Sequence, residues 1–318
     1  MTSYFENDRC LILSCPFLAT VPQQAQAAKR YGNACEATVF NRDALKDKNW
    51  SFVWQNVADV AEDIGPANLT VHFPVNNSDY VSDRFVAERL AEAVLRVDDL
   101  GLHGLVVHSN RIKPIKEWCT LSLADERARV LDSLERLNAD RRSPVPVFLE
   151  NMPIMDNYGI EIDPLFIFPE DFKDVSEIGV GVVWDICHYS NTVAVVQELA
   201  SGNQNPEHYP NVQECDYCDF TSISAFIRHW HFSAFSGLAD PDVFGTKCTE
   251  GVTPQYSALG ETVYADMLRA AMQVKHVDDH IVLELQETDY TDRQNFLSAK
   301  SWIHRVLNQP EQTAKQCV

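Results

Sequence analysis

The chain has no long apolar run, no glycine-rich nucleotide loop and no surplus of positive charge. None of its hydrophobic stretches approaches the roughly 18 residues that a membrane-spanning helix needs. After the first apolar run comes Cys15-Pro16-Phe17, nothing like the GxGxxG turn a dinucleotide-binding unit relies on. Asp and Glu number 46 against 26 Lys and Arg, a formal charge of −20. Such a field repels phosphate backbones, so nucleic acid and anionic membranes are not the expected partners. The segment from Met1 to Arg9 is polar and acidic, without the charged-then-apolar pattern of a secretion signal, and the expected compartment is cytoplasmic. Nine cysteines are too scattered for a disulfide scaffold and fit a reducing environment. The one CxxC, Cys215 and Cys218, has no second ligand pair nearby to complete a structural zinc site, and reads as an incidental loop feature, with a local metal or redox role as the alternative.

What the chain does have is an alternation of short apolar runs with longer amphipathic stretches. The apolar runs cover residues 11–17, 69–75, 104–110, 145–151, 181–188, 230–235 and 281–285, with a weaker one at 37–40. Helix-like segments cover 83–100, 123–138, 169–178, 192–200, 264–274 and 291–307. Strands alternating with helices imply βαβ units and a parallel sheet. Eight such strands in 318 residues predict an α/β fold, a single (β/α)8 TIM barrel spanning the chain, with loop insertions near 201–219 and 237–260. Both insertions are long enough to form a lid over the barrel mouth.

Ionisable residues recur at the ends of these runs. Leu69-Thr70-Val71 leads into His72 and Leu105-Val106-Val107 into His108. Val147-Phe148-Leu149 leads into Glu150, and Val182-Val183-Trp184 into Asp185 with His188 three residues on. Trp230 precedes His231, and Ile281-Val282-Leu283 leads into Glu284. Any one of these could be a hydrogen-bonded or solvated residue. Nearly every strand from the third onward ending this way points to the catalytic face of a barrel, where strand C-termini gather. Converging carboxylates repel unless cations lie between them. Carboxylate oxygens with imidazole nitrogens suit Mn²⁺, Zn²⁺, Fe²⁺, Co²⁺ or Mg²⁺.

These segments, Thr70-Val71-His72-Phe73-Pro74, Val106-Val107-His108-Ser109, Phe148-Leu149-Glu150-Asn151, Trp184-Asp185-Ile186-Cys187-His188, His231-Phe232-Ser233 and Leu283-Glu284, resemble the xylose isomerase-like barrel superfamily. That superfamily contains sugar and sugar-phosphate isomerases and epimerases, and abasic-site nucleases of the endonuclease IV type. Its isomerase branch implies one divalent metal held by Glu150, Asp185, His231 and Glu284. The two glutamates then act as acid and base on a bound ketose, with His188 on a substrate hydroxyl. The resemblance thus implies a small carbohydrate substrate, one or two divalent ions, and a homo-oligomer, since such barrels often dimerise. The nuclease branch implies a second ion held by His72 and His108, which share Glu150 with the first site. A third ion there would need His188 and an Asp-x-His pair after strand seven. This chain departs at that point, with no histidine between His231 and His276. A dinuclear hydrolase, or another dinuclear metalloenzyme, is therefore the alternative to the isomerase or epimerase.

Arg111, Lys113 and Lys116 follow His108 closely in an otherwise acidic chain. Arg111 and Lys113 are candidates to bind a substrate phosphate or carboxylate by charge-assisted hydrogen bonds. The competing reading is a loop whose cations pair with local acids. His229, two residues before His231, faces the same way on a strand, one layer deeper, and is expected to pack or hydrogen-bond.

Overall fold

The computed structural model describes residues 11–74, 76–139 and 145–309. Eight strands, numbered here along the barrel alone, are β1 (Ile12–Leu18), β2 (Ala34–Thr38), β3 (Leu69–His72), β4 (Gly104–Val107), β5 (Val147–Glu150), β6 (Gly181–Asp185), β7 (Ile227–Phe232) and β8 (His280–Leu283). They close into one barrel in which every neighbouring pair is parallel and β1 meets both β2 and β8. The helices are α1 (Pro22–Tyr31), α2 (Asp47–Ile64), α3 (Arg84–Leu100), α4 (Ile115–Trp118), α5 (Leu123–Asn138), α6 (Ile186–Ala200), α7 (Glu261–Val274) and α8 (Gln294–Asn308). The expected (β/α)8 barrel is the observed one. No helix among the described residues is long and apolar enough to cross a membrane.

Three expectations are corrected in detail. The second strand lies at Ala34–Thr38, earlier than residues 37–40. The helix expected at 169–178 is instead two 3₁₀ turns, Pro169–Phe172 and Ser176–Ile178. There the Asp171 carboxylate accepts the amides of Ile167 and Phe168, both at 3.0 Å, and Gly179 in the left-handed region ends the segment. Helix α6 begins at Ile186 rather than 192. Every residue from Ile186 to Val195 is buried, so this stretch carries no amphipathic stripe for a periodicity argument to find. The run at 69–75 ends as a strand at His72, and Val75 lies outside the described residues.

Side-chain alternation along each strand sends one set inward. The lower part of the barrel interior is filled around Phe148, which packs with Val106 and Val183. The neighbouring strands begin with Gly104 and Gly181. A Cβ on Gly104 would overlap the Phe148 ring, and one on Gly181 would lie 2.8 Å from Phe148 Cδ1. These two glycines are the space into which the phenyl ring fits.

Candidate metal centre

The same alternation carries the polar residues to the upper end. His72, Glu150, Asp185 and His231 are all under 4 % exposed. Register does the rest: Asp185 pairs with His231 across β6 and β7, and His231 pairs with Val282, two residues before Glu284. The register shift between Val182 and Val183 sets the first of these alignments. Glu150, Asp185, His231 and Glu284 each offer a ligand atom, all within 4.8 Å of one another.

Glu150 is the centre of the arrangement. Its Oε2 lies 2.8 Å from His108 Nε2 and 3.1 Å from His72 Nε2. Its Oε1 lies 3.1 Å from His231 Nδ1 and 3.5 Å from His188 Nδ1. His231 Nδ1 is also 3.3 Å from Glu284 Oε2 and 3.9 Å from Asp185 Oδ2. One carboxylate thus faces a pair of histidines with one oxygen and the Asp185–His231–Glu284 group with the other.

Two polar clamps hold these groups. Asn151 donates its side-chain amide to Asp185 O at 3.2 Å and accepts Asp185 N at 2.7 Å, locking the ends of β5 and β6 together. Asp185 also caps α6 by accepting His188 N on Oδ1 at 2.8 Å, which leaves Oδ2 toward the centre.

Burial of so many titratable groups perturbs them. Burial works to raise Glu150, but His231 and His108 outweigh it and hold the carboxyl well below its usual range. Asp185 is pushed up to about 7, first by burial, then by Glu150 and Glu284, against the opposing pull of His188. Burial works to lower His72, yet its hydrogen bond to Glu150 raises it to about 9. His231 is raised well above the ordinary value by Glu150, Glu284 and Glu36, against burial.

A divalent cation fits this donor set. Glu150 Oε1, His108 Nδ1 and both ring nitrogens of His231 are buried without a well-formed hydrogen bond, and protons alone would have to neutralise the carboxylates. Glu150, Asp185, His231 and Glu284 would hold one ion; His72, His108 and Glu150 would hold a second.

Two residues at this centre carried no mark in the sequence, and Asn151 stood there only as the neighbour of Glu150. Glu36, fully buried on β2, places Oε2 3.0 Å from His229 Nε2 and 3.4 Å from His231 Nε2. Glu250 places Oε2 3.8 Å from His188 Nε2. It belongs to a hairpin, Ala234–Ser236 with Thr249–Val252, whose second strand falls in the second predicted insertion. Gly251 there has φ +79, and a Cβ would lie 2.9 Å from Gln286 N, so only glycine lets the hairpin close on the β8 loop. Inward alternation on β2 could have marked Glu36; nothing local could have marked Glu250.

The basic patch is not brought to this centre. Arg111 is 3 % exposed, and its guanidinium is paired with Asp79 and Glu126. Lys113 Nζ lies 3.9 Å from Glu117. Neither lines the two cavities that open on the site, of about 450 and 400 Å³. Those cavities share Thr38, Phe40, His188, Glu250 and Glu284. No residue of 201–219 lines either one. In that loop Cys215 is a free thiol and Cys218 is disulfide-bonded, so the two form no pair. His229 bonds to Glu36 and stacks on Phe148 with ring centroids 5.4 Å apart.

Neither a protein-family model nor a curated protein matches the chain. Solved structures do. A D-psicose 3-epimerase determined in the presence of D-fructose superposes with a TM-score of 0.60 at 11% identity, covering 94% of this chain and 100% of that one. Endonuclease IV from Thermus thermophilus gives 0.56 at 14% identity, with 92% and 99% covered. A xylose isomerase-like TIM barrel protein from Mycobacterium smegmatis in complex with magnesium gives 0.56 at 11%, with 97% and 99% covered. The fold is that of the xylose isomerase-like barrels. At these identities the likeness extends to the fold of a xylose isomerase-like barrel and leaves its reaction to be argued from the site.

Proposed function

We propose that this xylose isomerase-like barrel is a metal-dependent isomerase or epimerase of a small sugar or sugar phosphate. The observation that carries the reading is that Glu150 and Glu284 both approach one imidazole nitrogen, His231 Nδ1, at 3.1 and 3.3 Å, beside cavities of sugar size. A divalent ion bound there would polarise a substrate carbonyl and its neighbouring hydroxyl, easing loss of the proton from the adjacent carbon. Glu284, whose side chain is 29% exposed and lines both cavities, takes that proton from one face. Glu150, buried and held ionised by its histidines, is its counterpart, and the proton it returns is relayed from His72, whose Nε2 lies 3.1 Å from Glu150 Oε2. His188 and Glu250 bind hydroxyls at the cavity wall. The substrate passes through an enediolate, and its carbonyl or its configuration has moved when the second proton is delivered.

A second reading is a dinuclear hydrolase acting on a phosphoester. What favours it is the convergence of His72 Nε2 and His108 Nε2 on Glu150 Oε2, a donor set a second ion would use and an epimerase does not require. One experiment separates the two. Incubation with a panel of ketoses and ketose phosphates in deuterium oxide, with Mn²⁺, Mg²⁺, Co²⁺ or Zn²⁺, should give carbon-bound deuterium for at least one sugar. Metal-dependent phosphoesterase activity with no exchange into any of them would overturn the isomerase reading.

A further inference from the structure

Beneath the carboxylate centre, three more histidines meet at the opposite end of the barrel interior. His280 opens β8, His103 immediately precedes β4, and His229 lies beside His280 across β7 and β8. Each offers one ligand nitrogen, and the three atoms lie within 4.8 Å of one another. The His103 and His280 rings are stacked with centroids 3.7 Å apart.

Three features set this cluster apart from ordinary core packing. One nitrogen on each ring, His103 Nε2, His229 Nδ1 and His280 Nδ1, is buried with no hydrogen-bond partner. Each such orphan gives up its hydrogen bond to water without replacement, a penalty an apolar side chain of similar size would avoid. Second, His229 Nε2 is 3.0 Å from Glu36 Oε2. A ring that donates Nε2–H to a carboxylate carries its lone pair on Nδ1, the atom left unpartnered. Carboxylate, histidine and cation in series is the arrangement that orients metal-binding imidazoles. Third, burial keeps His103 and His280 neutral, with pKa values pushed down to about 3 and about 2, and neutral imidazole is the form that binds metal.

We propose that His103, His229 and His280 form a second metal site, separate from the carboxylate centre, that binds one borderline transition cation such as Zn²⁺ or Cu²⁺. Three imidazoles without a carboxylate select such ions over Mg²⁺, Ca²⁺ or Mn²⁺. Nitrogens at about 2.0–2.1 Å around a tetrahedral ion sit about 3.4 Å from each other, so closing on the metal contracts the cluster only modestly from its 4.8 Å limit. Three protein ligands leave a fourth position for water. The partly exposed His103 marks the entry from the N-terminal mouth of the barrel. Glu36, fully buried, supplies compensating negative charge through His229.

The test uses the full chain, stripped with a chelator and then titrated with Cu²⁺ alone. Bound copper is counted per chain, and nitrogen hyperfine couplings are read by electron paramagnetic resonance. Wild type should give a component with three imidazole nitrogens that persists in Asp185→Asn. It should vanish in His103→Gln, with one copper per chain lost and the circular dichroism melt unchanged. Equal copper content and identical couplings in wild type and His103→Gln would overturn the proposal. Should His103→Gln fail to fold, anomalous diffraction at the copper edge decides on the wild type: a peak among the three rings supports the site, and its absence there rules it out.

Discussion

Glu36 Oε2 stands 3.4 Å behind His231 Nε2, on the side of the ring away from Glu150 and Glu284. The contact fixes which edge of the imidazole faces the carboxylates, because Nε2–H pointing at Glu36 turns the Nδ1 lone pair toward them. Glu36→Gln keeps the shape and removes the charge. Outer partners of this kind are worth about 10–100-fold in metal affinity, and calorimetric titration of the stripped protein should show a loss of that size. An unchanged affinity would mean that Glu36 is only a structural partner of His229.

Asp185→Asn should remove metal from the upper centre, since Asp185 is one of its four donors, and abolish activity. Glu284→Gln should lower deuterium exchange by roughly 10²–10⁴-fold, the range for losing a general base. Exchange at the wild-type rate in Glu284→Gln would remove it from the chemistry.

The metal-free protein should lose stability as pH rises. His72, raised from 6.5 to about 9, contributes stability that is complete below pH 6.5 and lost as pH climbs through 9. Asp185, raised from 3.8 to about 7, acts with the same sign: the unfolded chain gives up this proton first, so stability falls between those values. Glu150, held low, has the opposite sign but only in acid. The melting temperature in chelator should therefore drop between pH 6.5 and 9, and added divalent metal should raise it more at the upper end. A melting temperature that climbs with pH in chelator would contradict this electrostatic picture.

Gly104→Ala should cost about 1–3 kcal/mol, as overpacking of the Phe148 ring forces side chains off their rotamers. Phe148→Leu in the same chain should recover part of the loss. Denaturant titration of the single and double variants measures both; the absence of any recovery would place the strain elsewhere.

Arg111→Ala should destabilise by about 1–3 kcal/mol, because Glu126, itself 8% exposed, loses its buried partner and keeps only the half-exposed Arg129. Its Michaelis constant, once a substrate is in hand, should stay near the wild-type value. A large rise in that constant with unchanged stability would restore Arg111 as a substrate anchor.

The barrel and the upper tier of its polar interior were legible in residue order alone. Alternating periodicities specify strand and helix, and strand-end position marks His72, His108, Glu150, Asp185, His231 and Glu284, because a parallel barrel gathers strand C-termini on one face. How those residues divide was not legible there. That Glu150 turns one oxygen to His72 and His108 and the other to His231 depends on register and rotamer, which no spacing encodes. Glu36, Glu250 and the cluster of His103, His229 and His280 join residues far apart in the chain, and Arg111 looked available only because Asp79 and Glu126 are distant in sequence. Local patterning reports the direction in which a side chain leaves its strand; closure of the barrel decides which side chain it meets.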